Sequence, residues 1–291
     1  MVDLSEWVRF GEGGNGQSYY HRTDDSVVLK LNDSTWTKER TLAEFNLSKS
    51  VHGLGVHCPE VFDFVTDGER FGYTSQRIKG KKSFSRMIAD DPSRIPELAA
   101  RFAARARELH STQCDPSVFR SALARRKAMI DSCDALPEDV KARLDSASKV
   151  FDPDACTCLH CDFHPGNLIA GEGGEYWIDL GSFSYGDPLL DISSMYMIGH
   201  LTPVKAVENL FHISRRAFCS FMDEFLKCYY GESLNAGMTE RIKEAVVFRA
   251  ALSICSKPKS AFLFIPYIRG QKVRFALASF LANLIWPFVH R

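Results

Sequence analysis

Residues 159–168 read Leu159-His160-Cys161-Asp162-Phe163-His164-Pro165-Gly166-Asn167-Leu168, and the rest of the 291-residue chain is best read outward from them. Two leucines bracket a polar loop in which a carboxylate, Asp162, stands five residues before an amide, Asn167. Such a pair suits a centre where a carboxylate orients or receives a hydroxyl proton and an amide oxygen helps hold a divalent cation. Mg²⁺ takes hard oxygen ligands and keeps several waters, so few protein groups suffice. A second carboxylate should follow at a strand end. Tyr176-Trp177-Ile178-Asp179-Leu180-Gly181 supplies it, with Asp179 placed after three apolar residues and ahead of a glycine. Asp162 is thus the candidate base, and Asn167 and Asp179 are the candidate metal ligands.

Upstream, Gly11-Glu12-Gly13-Gly14-Asn15-Gly16 fits G-x-G-x-x-G. It precedes a strand instead of opening a helix, as the phosphate-covering loop of a kinase does and a dinucleotide-binding loop does not. Gly11, Gly13 and Gly16 leave the backbone free to fold over a triphosphate. Val27-Val28-Leu29-Lys30 then brings a lysine to a strand end, suited to the α and β phosphates. On the next predicted helix either Glu44 or Glu39 could fix the Lys30 ammonium; five residues apart, they cannot both face it. The Asp162 to Asn167 spacing is that of a kinase catalytic loop.

The surrounding pattern predicts short strands with one helix up to residue 78. Residues 18–22 and 27–31 flank Thr23-Asp24-Asp25 as a hairpin, and 61–66 and 70–76 flank Asp67-Gly68 as another. A helix over 35–51 lies between them, with apolar Leu42, Phe45 and Leu47. Helices are predicted over 93–110, with Ser93 as cap and Pro96 in the first turn, over 117–132 and over 137–150. A strand-and-loop insert covers 156–179, and the chain beyond Pro188 reads as helical. Residues 275–289 are apolar but shorter than a membrane span and broken by Pro287, so they read as a buried helix.

His160-x-Asp162-x-x-x-x-Asn167, Asp179-x-Gly181 and Gly186-Asp187-Pro188-x-x-Asp191 together resemble the aminoglycoside phosphotransferase and choline kinase-like family of small-molecule kinases. The resemblance runs from the Gly-rich loop through Asp191. It implies an α+β, bilobal, protein-kinase-like fold: a small antiparallel β-sheet N-lobe with one helix over 1–78, binding nucleotide, and a larger, mainly helical C-lobe over 79–291 for catalysis and acceptor binding. It further implies ATP and Mg²⁺ as cofactors, with Lys30 on the phosphates. The backbone at Gln76, Arg77 and Ile78 becomes an interlobe hinge meeting adenine. His160 supports the loop, and Asp187 and Asp191 brace it through hydrogen bonds. Cys161 stands where Gly or Ser is common.

Composition narrows the partners. Lys plus Arg and Asp plus Glu both number 36, a balance that argues against a general nucleic-acid binder. No signal peptide or membrane span is read, and nine cysteines without a secretory signal point to reduced thiols and a cytoplasmic protein. Cys156, Cys158, His160, Cys161 and His164 crowd together but lack the paired spacing of a zinc site. From Ile192 onward six acidic residues face thirteen basic ones. A pocket for a polycationic aminoglycoside would need carboxylates, so the expected acceptor is a neutral or anionic small-molecule hydroxyl compound. The alternatives are a non-catalytic nucleotide-binding pseudokinase and a protein kinase. The short run from Asp179 to Gly186 leaves the latter little room for an activation loop.

Overall fold

The computed structural model describes residues 1–13 and 16–271, with the backbone alone for Glu12 and Gly13. The apolar stretch 275–289 lies outside the described residues. From the N-terminus come β1 (Trp7–Gly13), β2 (Gly16–His21), β3 (Val27–Asn32), α1 (Lys38–Gly53), β4 (Val61–Thr66), β5 (Phe71–Gln76) and the short β6 (Lys82–Ser83). Helices α2 (Phe84–Asp90), α3 (Ile95–Ser111), α4 (Ala122–Asp131) and α5 (Glu138–Ser148) follow. The short strands β7 (Thr157–Leu159), β8 (Leu168–Gly171) and β9 (Gly174–Trp177) frame the loop quoted above. After β10 (Ser184–Gly186) the chain is helical: α6 (Leu189–Leu201), α7 (Val204–Phe211), α8 (Arg215–Tyr230), α9 (Ala236–Ser256) and α10 (Ala261–Ile268).

Two compact units emerge. The first is Met1–Ser83 with Asn167–Phe183; the second is Phe84–Gly166 with the chain from Ser184 on. Compared with the single cut at 78/79 expected from the sequence, residues 167–183 join the first unit. The reason is pairing: β8 adds to β6, with Lys82 opposite Ala170, and to β9, with Leu168 opposite Trp177. Ile169 and Tyr176 then bury Ile78.

In the first unit an antiparallel sheet runs β1-β2-β3-β5-β4. Alternation along β3 sends Leu29 and Leu31 to one face, where Trp7 and Tyr19 complete a small core. The other face packs Tyr73 and Val61 against Phe45 of α1. Thr37 caps α1 by accepting from Arg40 N. Its buried stripe is Thr41, Phe45, Ser48 and Val51, so two small polar residues sit where Leu47 was expected. Thr41 pays its burial with a hydrogen bond, accepting from Asn32 Nδ2 at 3.2 Å.

In the second unit α3 buries Leu98, Ala99, Phe102, Ala106 and Leu109, spaced for one helical face, and packs on α8. The expected Ser93 cap is a correction: Asp91 accepts from Ser93 N and opens a 3-10 turn, and α3 starts two residues later at Ile95. Likewise α4 starts after Ser121, whose hydroxyl accepts from Ala124 N; Ser117 belongs to a turn closed by Asp115. Phe102 gathers Phe163, Phe221 and Phe225 at centroid separations of 5.0 to 5.4 Å, which anchors the polar loop to the helical core. Cys158 is buried on β7 while Cys156 falls just outside it. Among the described residues no helix is long and apolar enough to cross a membrane.

Candidate active site

The first unit holds the cation and its partners. Opposite Tyr73 in the β3–β5 ladder, Lys30 shares the face that packs on α1. Its Nζ donates to Glu44 Oε1 at 2.8 Å, and the Tyr73 hydroxyl donates to the same oxygen at 3.1 Å. Of the two glutamates left open by the sequence, Glu44 is the one that pairs. Burial works against the Lys30 ammonium. Tyr73, Glu44 and the more distant Asp179 outweigh that penalty and hold its pKa above the ordinary lysine value.

Asp179 therefore lies within electrostatic reach of Lys30. It is exposed, two residues beyond β9, in the left-handed conformation (φ 58°, ψ 51°) that Asp tolerates better than most residues. Ile178 N donates to Asn167 O at 3.0 Å, extending the β8–β9 ladder by a step, so Asn167 and Asp179 are held at the same end of one ribbon. An amide oxygen and a carboxylate so placed fit the hard-donor preference of Mg²⁺. Lys81 also feels the Asp179 charge.

Three other expected residues divide. Gln76 N donates to Glu60 O and Arg77 N to Ser26 O, so both amides are engaged inside the first unit. The buried Ile78 has no backbone hydrogen bond to any described residue. Gly11 and Gly13 lie on β1, Gly16 opens β2, and the turn residues 14–15 are outside the described residues. A Cβ on Gly16 would meet Leu31 O at 2.2 Å, whereas one on Gly11 would meet nothing within 4 Å.

The second unit holds the carboxylate. Asp162 is 57% exposed, and its Oδ1 lies 3.5 Å from His164 Nε2. The preceding residue, Cys161, adopts a left-handed φ of 63°, which explains why a glycine suits that position. Burial pushes the Cys161 thiol up to about 11. Asp191, fully buried, bridges the loop: Oδ2 accepts from His160 N at 2.8 Å and Oδ1 from Cys161 N at 2.9 Å. His160 Nδ1 accepts from Asp162 N at 3.3 Å.

Burial opposes the Asp191 charge. The His110 hydrogen bond and the nearby Arg126 charge overcome it and hold the carboxyl below the ordinary range. Because an ionised carboxylate only accepts, His110 Nε2 donates to Asp191 Oδ2 at 3.3 Å, and in neutral His110 the other ring nitrogen accepts from Tyr229 OH at 2.8 Å. Asp187 is a correction. It does not reach the loop but accepts from Asp152 N and Leu189 N, fixing the start of the helix that carries Asp191.

The sequence model of the phosphotransferase enzyme family (APH) matches residues 6–220, well over half of the chain and inclusive of Lys30, Glu44, Asp162, Asn167, Asp179 and Asp191. The chain belongs to this family. It is a phosphotransferase with an alcohol group as acceptor, built on the kinase-like fold of the family. No curated protein sequence matches it. Among solved structures, a thermostable mutant of the aminoglycoside phosphotransferase APH(4)-Ia is similar at 13% identity and a TM-score of 0.60, covering 91% of each chain. ADP-bound APH(2'')-Ib is similar at 19% and 0.58, over 96% of this chain and 92% of that one. A choline/ethanolamine kinase family protein from Mesorhizobium loti is similar at 16% and 0.56, over 95% and 87%. At these identities the likeness is one of fold.

His110, His164 and Arg249 are the phosphotransferase residues near the loop that the sequence did not single out. His110 and Arg249 lie far from it in sequence, and no spacing rule ties them to it. His164 was visible only as part of an unpromising metal cluster.

Proposed function

We propose that this phosphotransferase moves the γ-phosphoryl group of ATP to a hydroxyl of a small molecule, with Asp162 orienting that hydroxyl. The observation that carries the reading is the Lys30–Glu44 pair standing within reach of the Asp179 charge. A fixed ammonium beside a hard-oxygen pair suits polyphosphate binding, and ADP in a solved structure of the same fold supports a nucleotide here. Lys30 would bind the α and β phosphates, and the Ile78 backbone would meet the adenine edge. Mg²⁺, held by Asn167 and Asp179, would neutralise charge on the β and γ phosphates. Phosphoryl transfer is mostly positioning and electrostatics, because the group is loosely bonded at the transition state. Asp162, steadied through His160 and Asp191, would accept the acceptor's hydroxyl proton.

The excess of basic over acidic residues after Ile192 disfavours a polycationic aminoglycoside as the acceptor. The test combines Mg-ATP with a pooled library of sugars, amino alcohols and antibiotics, and a search by mass spectrometry for a phosphate adduct. Asp162→Asn should lower kcat by roughly 10²–10⁴, the usual weight of general acid–base catalysis, while nucleotide affinity stays. Wild-type turnover in that variant, or ATP loss with no acceptor ever labelled, would refute the reading.

A further inference from the structure

Arg249 is a half-buried cation on α9. Its Nε donates to Ser194 Oγ at 3.0 Å, and Ser194 Oγ donates to Leu190 O at 3.0 Å, so the guanidinium is tethered to α6 at one nitrogen. Among the described residues its two terminal nitrogens have no hydrogen bond, and no carboxylate lies within ion-pair distance. Residues 272–291 contain no Asp or Glu, so they supply no acidic side chain either.

Arg126, buried on α4, donates to the same Leu190 carbonyl at 3.3 Å and likewise has no ion pair. Burial lowers the Arg249 pKa, Arg126 lowers it further, and Asp162 and Cys161 draw it back, leaving it at about 10 and the side chain charged. Arg249 therefore stands in the electrostatic neighbourhood of the loop carboxylate. Other cations of the C-terminal helices are engaged: Lys227 and Lys243 pair with Glu224 and Glu240, Arg269 with Asp139, and Arg215 with backbone carbonyls.

A partly buried cation without a counterion is costly, and the arginine fork matches a carboxylate or phosphate through two parallel hydrogen bonds. We propose that Arg249 docks the acceptor, and that the acceptor carries a carboxylate or phosphate close to the hydroxyl that is phosphorylated. The proposal rests on the reading of Asp162 as the group that orients that hydroxyl. Ser194 holds the fork in place, and Arg126 adds positive potential behind it.

Binding to the full chain, saturated with Mg²⁺ and a non-hydrolysable ATP analogue, tests this by calorimetry. The probes are glycerate, gluconate and glycerol 3-phosphate, each beside uncharged glycerol or glucitol, and product formation from Mg-ATP is followed in parallel. At least one anion should bind better than its uncharged counterpart, and the carboxylate and phosphate arms tell the two headgroups apart. Arg249→Gln should weaken that anion about tenfold or more, as expected for lost charge-assisted hydrogen bonds. Arg249→Lys should fall between, and unchanged affinity for the ATP analogue in both variants shows that they fold. Preference for the uncharged compounds, no anion bound at all, or an anion affinity that Arg249→Gln leaves intact would each overturn the proposal. An anion that binds through Arg249 but is never phosphorylated would uphold it and count against the transfer reading instead.

Discussion

Glu44 Oε1 takes two hydrogen bonds, from Lys30 and from Tyr73, while Oε2 is buried without a partner. One oxygen therefore fixes the ammonium that we assign to the phosphates, and Tyr73 shares it. Glu44→Ala leaves both donors without their acceptor. Stability should fall by about 1–3 kcal/mol, the cost of stranding a buried polar group, and ATP-analogue affinity by about tenfold. Tyr73→Phe removes only the neutral hydroxyl, so its loss should stay near 1 kcal/mol and nucleotide affinity should hardly move. Urea melts and calorimetry on the two variants separate these outcomes; equal nucleotide losses would mean that Glu44 does not act by positioning Lys30.

Strand β3 is confined by glycines on both neighbouring strands. A Cβ on Gly16 of β2 would meet Leu31 O at 2.2 Å, and one on Gly72 of β5 would meet Lys30 O at 1.9 Å. Either contact forces backbone to shift around Lys30. Gly16→Ala and Gly72→Ala should each cost about 1–3 kcal/mol as overpacking does, whereas Gly11→Ala, with open space at its Cβ, should change stability by under about 0.5 kcal/mol. Thermal melts of the three variants rank them, and a Gly11 loss matching the other two would contradict the packing account.

The same strands show what a sequence carries. Both hairpins were legible because their turn chemistry is local: Asp67 Oδ1 accepts from Glu69 N and Arg70 N, and Asp24 Oδ1 from Ser26 N. Lys30, Asn167 and Asp179 were legible through their order along the chain. The need for glycine at position 72 was not, because it arises from a strand more than forty residues away, at Lys30 and Leu31. Nor was Arg249, whose tether to Ser194 of α6 is created by helix packing. The role of Asp187 is hidden for a related reason, since one of its partners, Asp152, lies thirty-five residues upstream, outside the motif.

Across the second unit, Tyr229 of α8, His110 of α3 and Asp191 of α6 form one hydrogen-bonded line that ends on the amides of His160 and Cys161. The folded-state pKa of Asp191 lies below its unfolded value. Its contribution to stability is therefore complete above the ordinary aspartate range, near pH ~3.9, and is lost as the pH falls through the lower folded value. Asp191→Asn should lose about 3–5 kcal/mol at neutral pH, as when one member of a buried charged pair is removed. It should also show a shallower acid limb than wild type in chemical denaturation from about pH 5 down to about pH 2; parallel limbs would show that Asp191 is not the titrating group.

The first unit is assembled from two separated pieces of chain, and Ile78 packs with Ile169 and Tyr176, with Ile178 against them, all from the later piece. On the ribosome, then, this unit cannot finish folding when the five strands of its larger sheet emerge, because β6 pairs with β8 and β8 with β9. It must wait, with Ile78 and the β6 edge open to chaperones, until the helices α2 to α5 have been synthesised and β9 has cleared the exit tunnel.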